Sequence, residues 1–539
     1  MAAIDQKKEI AAALCRFQTD SLFENSIRLF NTLRYDTSQQ LRLSAGTFDE
    51  FKDCYLSGNE NFDELKAHVS DWQRVEMLFV LTDQVIQKQV EQFKSERIAD
   101  KDIRSYLFFA LELEQQSYTR TQLSQITREF NKAFPEKPVM LLFKYGEFLT
   151  ITIIDRRMNK LNEDKDVLQK VTLIKDISIT STHRAHLEIL FDLDFCELYR
   201  DASFKNFVDL HTAWQKKLDT TELNKKFYRE LANWYFWACQ NVVFPADAEP
   251  NAEKRNAVNL IRLITRLMFV WFLKEKGLVP PEFFNKSKLD SMLSYDDKEG
   301  STYYKAILQN LFFATLNQEM NTLVAPENRK FRNNGQHHNI TNLYRYRRYF
   351  KNPKEALLLF SRIPFLNGGL FECLDRRDKN DSKKIIRIDG FSDEDDNPLK
   401  VPDFLFFREQ ETVVDLSAVY GERRRNQEKV RGLIHILSSY KFTVTENTPI
   451  EEEVALDPEL LGKVFENLLA SYNPETQTTA RKQTGSFYTP REIVNYMVEE
   501  SLIAYLESKL VEYYKRNDTA NIGETERQRE EQEARHGAP

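Results

Sequence analysis

Apolar residues recur at helical spacing along most of this chain, and the period changes between about residues 104 and 157. Ile10, Leu14 and Phe17, then Phe23, Ile27, Phe30 and Leu33, fall at i, i+3 and i+4, the spacing of a buried helix face. From about residue 180 to 450 the text is again helical, with Trp214, Phe227, Tyr228, Leu231, Trp234, Tyr235 and Trp237 crowding one region. Inside the exceptional stretch, Tyr106 to Leu111 reads as a buried strand and Thr119 to Phe134 as a helix. Val139 to Phe143 and Phe148 to Ile154 read as a hairpin turning at Tyr145-Gly146. With 15 Gly and 16 Pro in 539 residues, a loop-rich β architecture is disfavoured, and 39 Phe can fill several cores. The expected fold is mostly α with a small α/β module, in several domains.

A net charge of −7 gives no global attraction to nucleic acid, so any DNA contact must rest on local basic patches. Cys15, Cys54, Cys196, Cys239 and Cys373 are scattered, and none forms a C-x-x-C pair, so neither a zinc site nor a disulfide framework is suggested. The N-terminus lacks the apolar core of a signal peptide. The most apolar helix, around Leu263 to Leu273, is interrupted by Arg266 and followed by Lys274, Glu275 and Lys276, so no membrane span is expected. A reduced, cytoplasmic chain is the simple reading.

Two patches combine the residues that DNA contact requires. Tyr344 to Lys351 interleaves Arg345, Arg347 and Arg348 with aromatic rings, and arginine neutralises phosphate while tyrosine bonds or stacks. Arg423 and Arg424 head a second run with Arg425, Lys429 and Arg431, and Arg156, Arg157 and Lys160 form a weaker third. Glu112, Glu114 and Asp155 flank the strands of the α/β stretch, where a metal-dependent nuclease would hold its ion. No lysine stands two residues after an acid on the second strand pair, which favours a module without that chemistry. Phe48-Asp49-Glu50-Phe51-Lys52 and Phe62-Asp63-Glu64-Leu65-Lys66 carry a Glu-x-Lys spacing, but both read as helix starts with acids favouring the dipole. His183 and His186 share a helix face, and capping or core hydrogen bonding explains them better than a metal does. The Gly368-Gly369 turn reads as structural, since it lacks the spaced third glycine of a phosphate loop. No residue set is singled out as catalytic, and none as a metal site.

Near the C-terminus, Gln483-Thr484-Gly485-Ser486-Phe487-Tyr488-Thr489-Pro490 runs into a strongly signalled helix. Thr489 suits the N-cap, Pro490 the first helical position, and Glu492 completes a capping box. Ile493, Val494, Met497, Val498 and Leu502 then give one apolar face. Free N–H groups at such a helix start are ready for an anion or a carboxylate. Preceding it are Tyr440 to Pro449 and Leu456-Asp457-Pro458-Glu459-Leu460-Leu461-Gly462-Lys463-Val464-Phe465-Glu466-Asn467-Leu468-Leu469. This succession resembles the junction between helical connector and catalytic domain in type IIG restriction–modification enzymes and related adenine-specific DNA methyltransferases.

The specific part of the resemblance covers about a hundred residues. It implies S-adenosyl-L-methionine as cofactor, with Gly485, Phe487, Tyr488, Thr489 and Pro490 against it, and double-stranded DNA as partner. The reaction implied is methyl transfer to the exocyclic amino group of a flipped adenine. The chain then divides into a helical arm (1–100), a small α/β, nuclease-like module (101–180), a helical connector (181–450), the start of a Rossmann-like methyltransferase domain (451–515) and a charged tail (516–539). The family's Asn/Asp-Pro-Pro-aromatic motif is absent: Pro280-Pro281 is flanked by Val279 and Glu282, and Asn473-Pro474-Glu475 lacks the second proline. The expectation is therefore no methylation by this chain alone, with a second chain as a candidate source of the missing motif. The alternatives are a non-catalytic DNA-binding or assembly subunit, and a metal-dependent nuclease domain.

Overall fold

The computed structural model describes residues 2–456 except 20, 57–61, 87–104, 135–137, 156–169, 296–299, 320–328, 333–342, 367–368, 382–383, 446 and 449; beyond 456 it describes 462, 493–494 and 496–510. The chain falls into two compact units, Met1–Leu468 with Pro474–Gln477, and Leu469–Asn473 with Thr478–Pro539. The first unit is built on a mixed six-stranded sheet of order β1-β2-β3-β4-β5-β10, where β1 is Trp72–Thr82, β2 Ser105–Leu113, β3 Val139–Tyr145, β4 Phe148–Asp155, β5 Lys170–Ser178 and β10 Glu451–Glu453. The helix Arg120–Ala133 crosses from β2 to the parallel β3, and its start is fixed by a capping box between Thr119 and Gln122. β3, β4 and β5 form an antiparallel meander, and β10 adds in parallel to β5.

Apolar runs without alternation make sense because both faces of the sheet are covered. On β2, Tyr106, Phe108 and Ala110 enter one core with Ile10, Leu14, Phe30 and Trp214, while Leu107, Phe109 and Leu111 enter the other with Phe51, Leu123, Ile126 and Phe130. Phe79 stacks on Phe108 at 4.2 Å, beside an irregularity of register between Met77 and Phe79.

Helical spacing was expected to run to about residue 100, but Trp72–Thr82 is a strand, because its apolar residues are sandwiched between the two cores. The first Glu-x-Lys stretch is a helix start as expected: Thr47 caps Phe48–Phe51, and Glu50 folds back onto the backbone N–H groups of Ser44, Ala45 and Gly46. Lys52 pairs with Glu64 of the second stretch at 2.7 Å.

Beyond the sheet the chain is mainly helical, with long helices at Thr220–Cys239 and Ala252–Glu275 and a wide-turned helix at Tyr303–Leu316. Two small hairpins interrupt it, β6 (Arg376–Arg377) with β7 (Ile385–Ile386) and β8 (Thr412–Val414) with β9 (Glu428–Val430). Among the described residues, Ala252–Glu275 is the one helix long and apolar enough to cross a bilayer, and 67% of its most apolar window is buried inside the protein. Burial of that kind fits a core helix.

Candidate functional site

Every residue of the helix Tyr303–Leu316 is buried, including Gln309, Asn310 and Thr315, and buried polar groups require partners. The segment from Tyr344 supplies them. Asn310 exchanges two hydrogen bonds with the Arg345 backbone, donating to its carbonyl at 3.0 Å and accepting from its N–H at 2.8 Å. Tyr346 donates to Gln309 Oε1 at 2.8 Å, and the hydroxyls of Tyr344 and Thr315 lie 3.1 Å apart. The arginine–tyrosine alternation is therefore largely an inside-facing pattern. Arg345 is 4% exposed, with its guanidinium 5.2 Å from the Phe391 ring centre and its Nε 3.4 Å from the Phe391 carbonyl oxygen. This corrects the expectation that Arg345 offers its charge at the surface. Arg347 and Arg348 do face solvent, Arg348 3.5 Å from Asp395 and over the Tyr349 ring.

Arg423 and Arg424 are exposed on a turn that leads into β9. Arg424 pairs with Glu422 at 2.7 Å, and Arg425 with Glu428 at 2.9 Å while lying over Tyr420. Lys429 pairs with Glu411 and Arg431 with Glu230. The exposed pairs among these, at Arg424 and Lys429, contribute little to stability.

Glu112 on β2 stands in register with Lys144 on β3 and forms an ion pair with it. Glu114 is exposed beyond the end of β2, and Asp155 closes β4 opposite Lys170. Among the described residues, the His, Cys, Asp and Glu side chains close enough to share a metal are Cys373, Asp375 and Asp389, not these acids. That trio is already occupied by the protein itself. Asp375 accepts from the backbone N–H groups of Ile388, Asp389, Gly390 and Phe391 at 2.6–3.0 Å. Asp389 accepts from Arg266 at 2.8 Å and from the Leu374 N–H at 2.7 Å. Arg266 also donates to the carbonyls of Leu370 and Glu372, both at 2.9 Å, so one buried guanidinium clamps the short helical turn Gly369–Phe371 and the residue after it. Sequence reading met Arg266 as a break in an apolar helix and missed this role.

His183 caps the helix Arg184–Asp192, its Nδ1 accepting from the Ala185 N–H at 3.1 Å, and burial lowers its pKa to about 4. His186 is buried in the interior with its pKa lowered to about 3, first by burial and then by Lys441. Capping and core packing thus account for both histidines.

Gly485, Phe487, Tyr488, Thr489 and Pro490 lie outside the described residues, as do Arg156, Arg157, Lys160, Gly368 and most of the 457–482 block. The helix expected after Pro490 is present at 493–494 and 496–510, with Ile493, Met497, Val498 and Leu502 about half exposed in their own unit.

No family model matches the chain, and no solved structure matches it at significance. Over 280 residues, half of its length, the chain is 28% identical to a protein of Methanocaldococcus jannaschii named "Putative type II restriction enzyme and methyltransferase". It spans 17% of that relative's length. The match supports kinship with restriction–modification proteins.

Proposed function

We propose that this chain serves restriction–modification by engaging duplex DNA and presenting part of an adenine-specific, S-adenosyl-L-methionine-dependent methyltransferase. The observation that carries the reading is the 28% identity over half the chain to a relative named for both restriction and methylation. The Gly485 to Pro490 motif supports the cofactor assignment, with Phe487 and Tyr488 as an aromatic wall and the helix start after Thr489 as a donor of backbone N–H groups. The Asn/Asp-Pro-Pro-aromatic motif is not in these 539 residues, so in this reading the transfer step rests on residues of another segment or chain. DNA contact falls to Arg347, Arg348, Arg423 and Arg424, all exposed, with the ion pairs of Arg348 and Arg424 screened by solvent.

A second reading, a DNA-binding subunit that carries no chemistry, draws on the same exposed arginines. Two measurements separate them. Photocrosslinking of radiolabelled S-adenosyl-L-methionine, repeated on a Tyr488→Ala variant, tests the cofactor site. Titration of labelled duplex DNA against salt tests the interface. Crosslinking that Tyr488→Ala abolishes supports the methyltransferase reading; DNA binding without crosslinking supports the subunit. Absence of DNA binding even at about 50 mM salt, where phosphate contacts are strong, would sink both.

A further inference from the structure

The turn between β8 and β9 stands on a fixed base. Asn233 of the helix Thr220–Cys239, 4% exposed, accepts from the Tyr420 hydroxyl at 2.8 Å and donates to Glu428 at 2.7 Å. Arg425 ties the same two residues together, donating to Glu428 at 2.9 Å with its guanidinium 4.8 Å from the Tyr420 ring centre. The Tyr420 ring meets Phe236 edge-on at 5.4 Å. Backbone bonds close the turn itself. The N–H of Leu416, a wholly buried residue, donates to the Arg425 carbonyl at 2.9 Å, and that of Glu422 to the Ser417 carbonyl at 3.2 Å.

From Arg423 to Gln427, every residue but Arg425 is exposed. Arg424 keeps one partner, Glu422 at 2.7 Å, and the side chains of Arg423, Asn426 and Gln427 enter none of these contacts. Two side-chain amides therefore stand in water beside two guanidinium groups, on a backbone held by its base, the usual arrangement of a recognition loop. Each amide offers a donor and an acceptor side by side, the pattern that pairs bidentately with N6 and N7 of adenine in the major groove, while guanidinium groups neutralise phosphate. The second exposed arginine pair lacks this company. Beside Arg347 and Arg348, Tyr346, Tyr349 and Phe350 are buried, and Asn352 uses its side chain to cap the helix Pro353–Ser361.

We propose that the turn Arg423–Gln427 is a base-reading element for duplex DNA: Arg423 and Arg424 set it on the phosphates, and Asn426 and Gln427 read adenine in the major groove. The choice of DNA rests on the functional reading above. The base reading goes beyond it, since phosphate contacts alone carry no sequence information.

The test is selection from a pool of randomised duplexes by the full chain, wild type against N426A/Q427A and R423Q/R424Q, followed by salt titrations on a selected and a scrambled duplex. Wild type should enrich sequences with A·T pairs at fixed positions. N426A/Q427A should lose that preference, by about tenfold or more in relative affinity, and keep the wild-type salt slope on scrambled DNA. R423Q/R424Q should weaken binding to both duplexes alike and lower the slope by up to about 1.8. If N426A/Q427A does not fold, N426A and Q427A are read singly in the same way. An unchanged preference in the amide variant overturns the base reading, as does a wild type that binds every sequence alike. A wild type that binds no duplex refutes the proposed function, and the base reading falls with it.

Discussion

Arg266 and Asp389 form a 2.8 Å ion pair that is almost wholly shielded from water, at 4% and 2% side-chain exposure. The pair sits across 123 residues of sequence and joins a core helix to the β6–β7 hairpin region. Breaking a buried pair leaves a charge without compensation, so Arg266→Ala should lower stability by about 3–5 kcal/mol. Arg266→Lys should recover little of it, because an ammonium cannot reach Asp389 and two carbonyls in one plane. Denaturant unfolding of the variants checks this, and a Lys variant as stable as wild type would refute the planar clamp.

Glu453 answers to a different balance. Burial pushes its carboxyl pKa up, more than Lys175 and Lys441 pull it down. An acid whose folded pKa is raised contributes stability that is full below its unfolded value and is lost as pH rises through the folded value. Glu453→Gln keeps the shape without the charge. It should raise the unfolding temperature at pH 7.5 and leave it unchanged at pH 4. Thermal scans at the two pH values decide it; destabilisation at pH 7.5 would mean that the Lys175 and Lys441 attractions dominate.

The two histidines give the opposite slope. Their pKa values are lowered to about 4 at His183 and about 3 at His186, so the unfolded chain takes up protons that the folded chain refuses. Stability is present above the unfolded value of about 6.5 and falls as pH drops toward the folded values. At pH 5 each histidine should cost about 2 kcal/mol relative to pH 8. His186→Leu, which removes one titration from the interior, should flatten the acid limb by about that amount in pH-dependent unfolding.

These relationships explain what could be read from sequence. Tyr106 to Leu111 announced a strand because a continuous apolar run suits a sheet covered on both faces. The capping signals at Thr119 were equally plain. Three successive glutamates, by contrast, have poor strand propensity, and β10 forms because Val171 to Leu173 on β5 pair with it and the Thr121 hydroxyl, 330 residues away, meets Glu451. Local text cannot disclose a pairing at that distance. Arg345 misled for the same reason: alternating arginine and tyrosine looks like a nucleic-acid surface until the buried Asn310 and Gln309 claim its backbone and neighbours. The Gly485 to Pro490 loop remains legible as sequence alone.

The arginines separate surface charge from interior packing, and that separation is testable. Arg347, Arg348, Arg423 and Arg424 are exposed, while Arg345 is buried. Each phosphate that a duplex-binding protein ceases to neutralise lowers the salt slope of its affinity by about 0.9. The fourfold Gln variant of the exposed set should therefore lower the slope by up to about 3.6 and leave the unfolding temperature within a degree or two of wild type. Arg345→Gln should do the reverse, lowering the unfolding temperature with a near-native salt slope in whatever fraction folds. Fluorescence anisotropy across a salt series, paired with thermal scans, reads both quantities. An Arg345 variant that folds normally yet loses slope would place that guanidinium at the DNA after all, and the packing of Tyr344 to Tyr346 would have to open on binding.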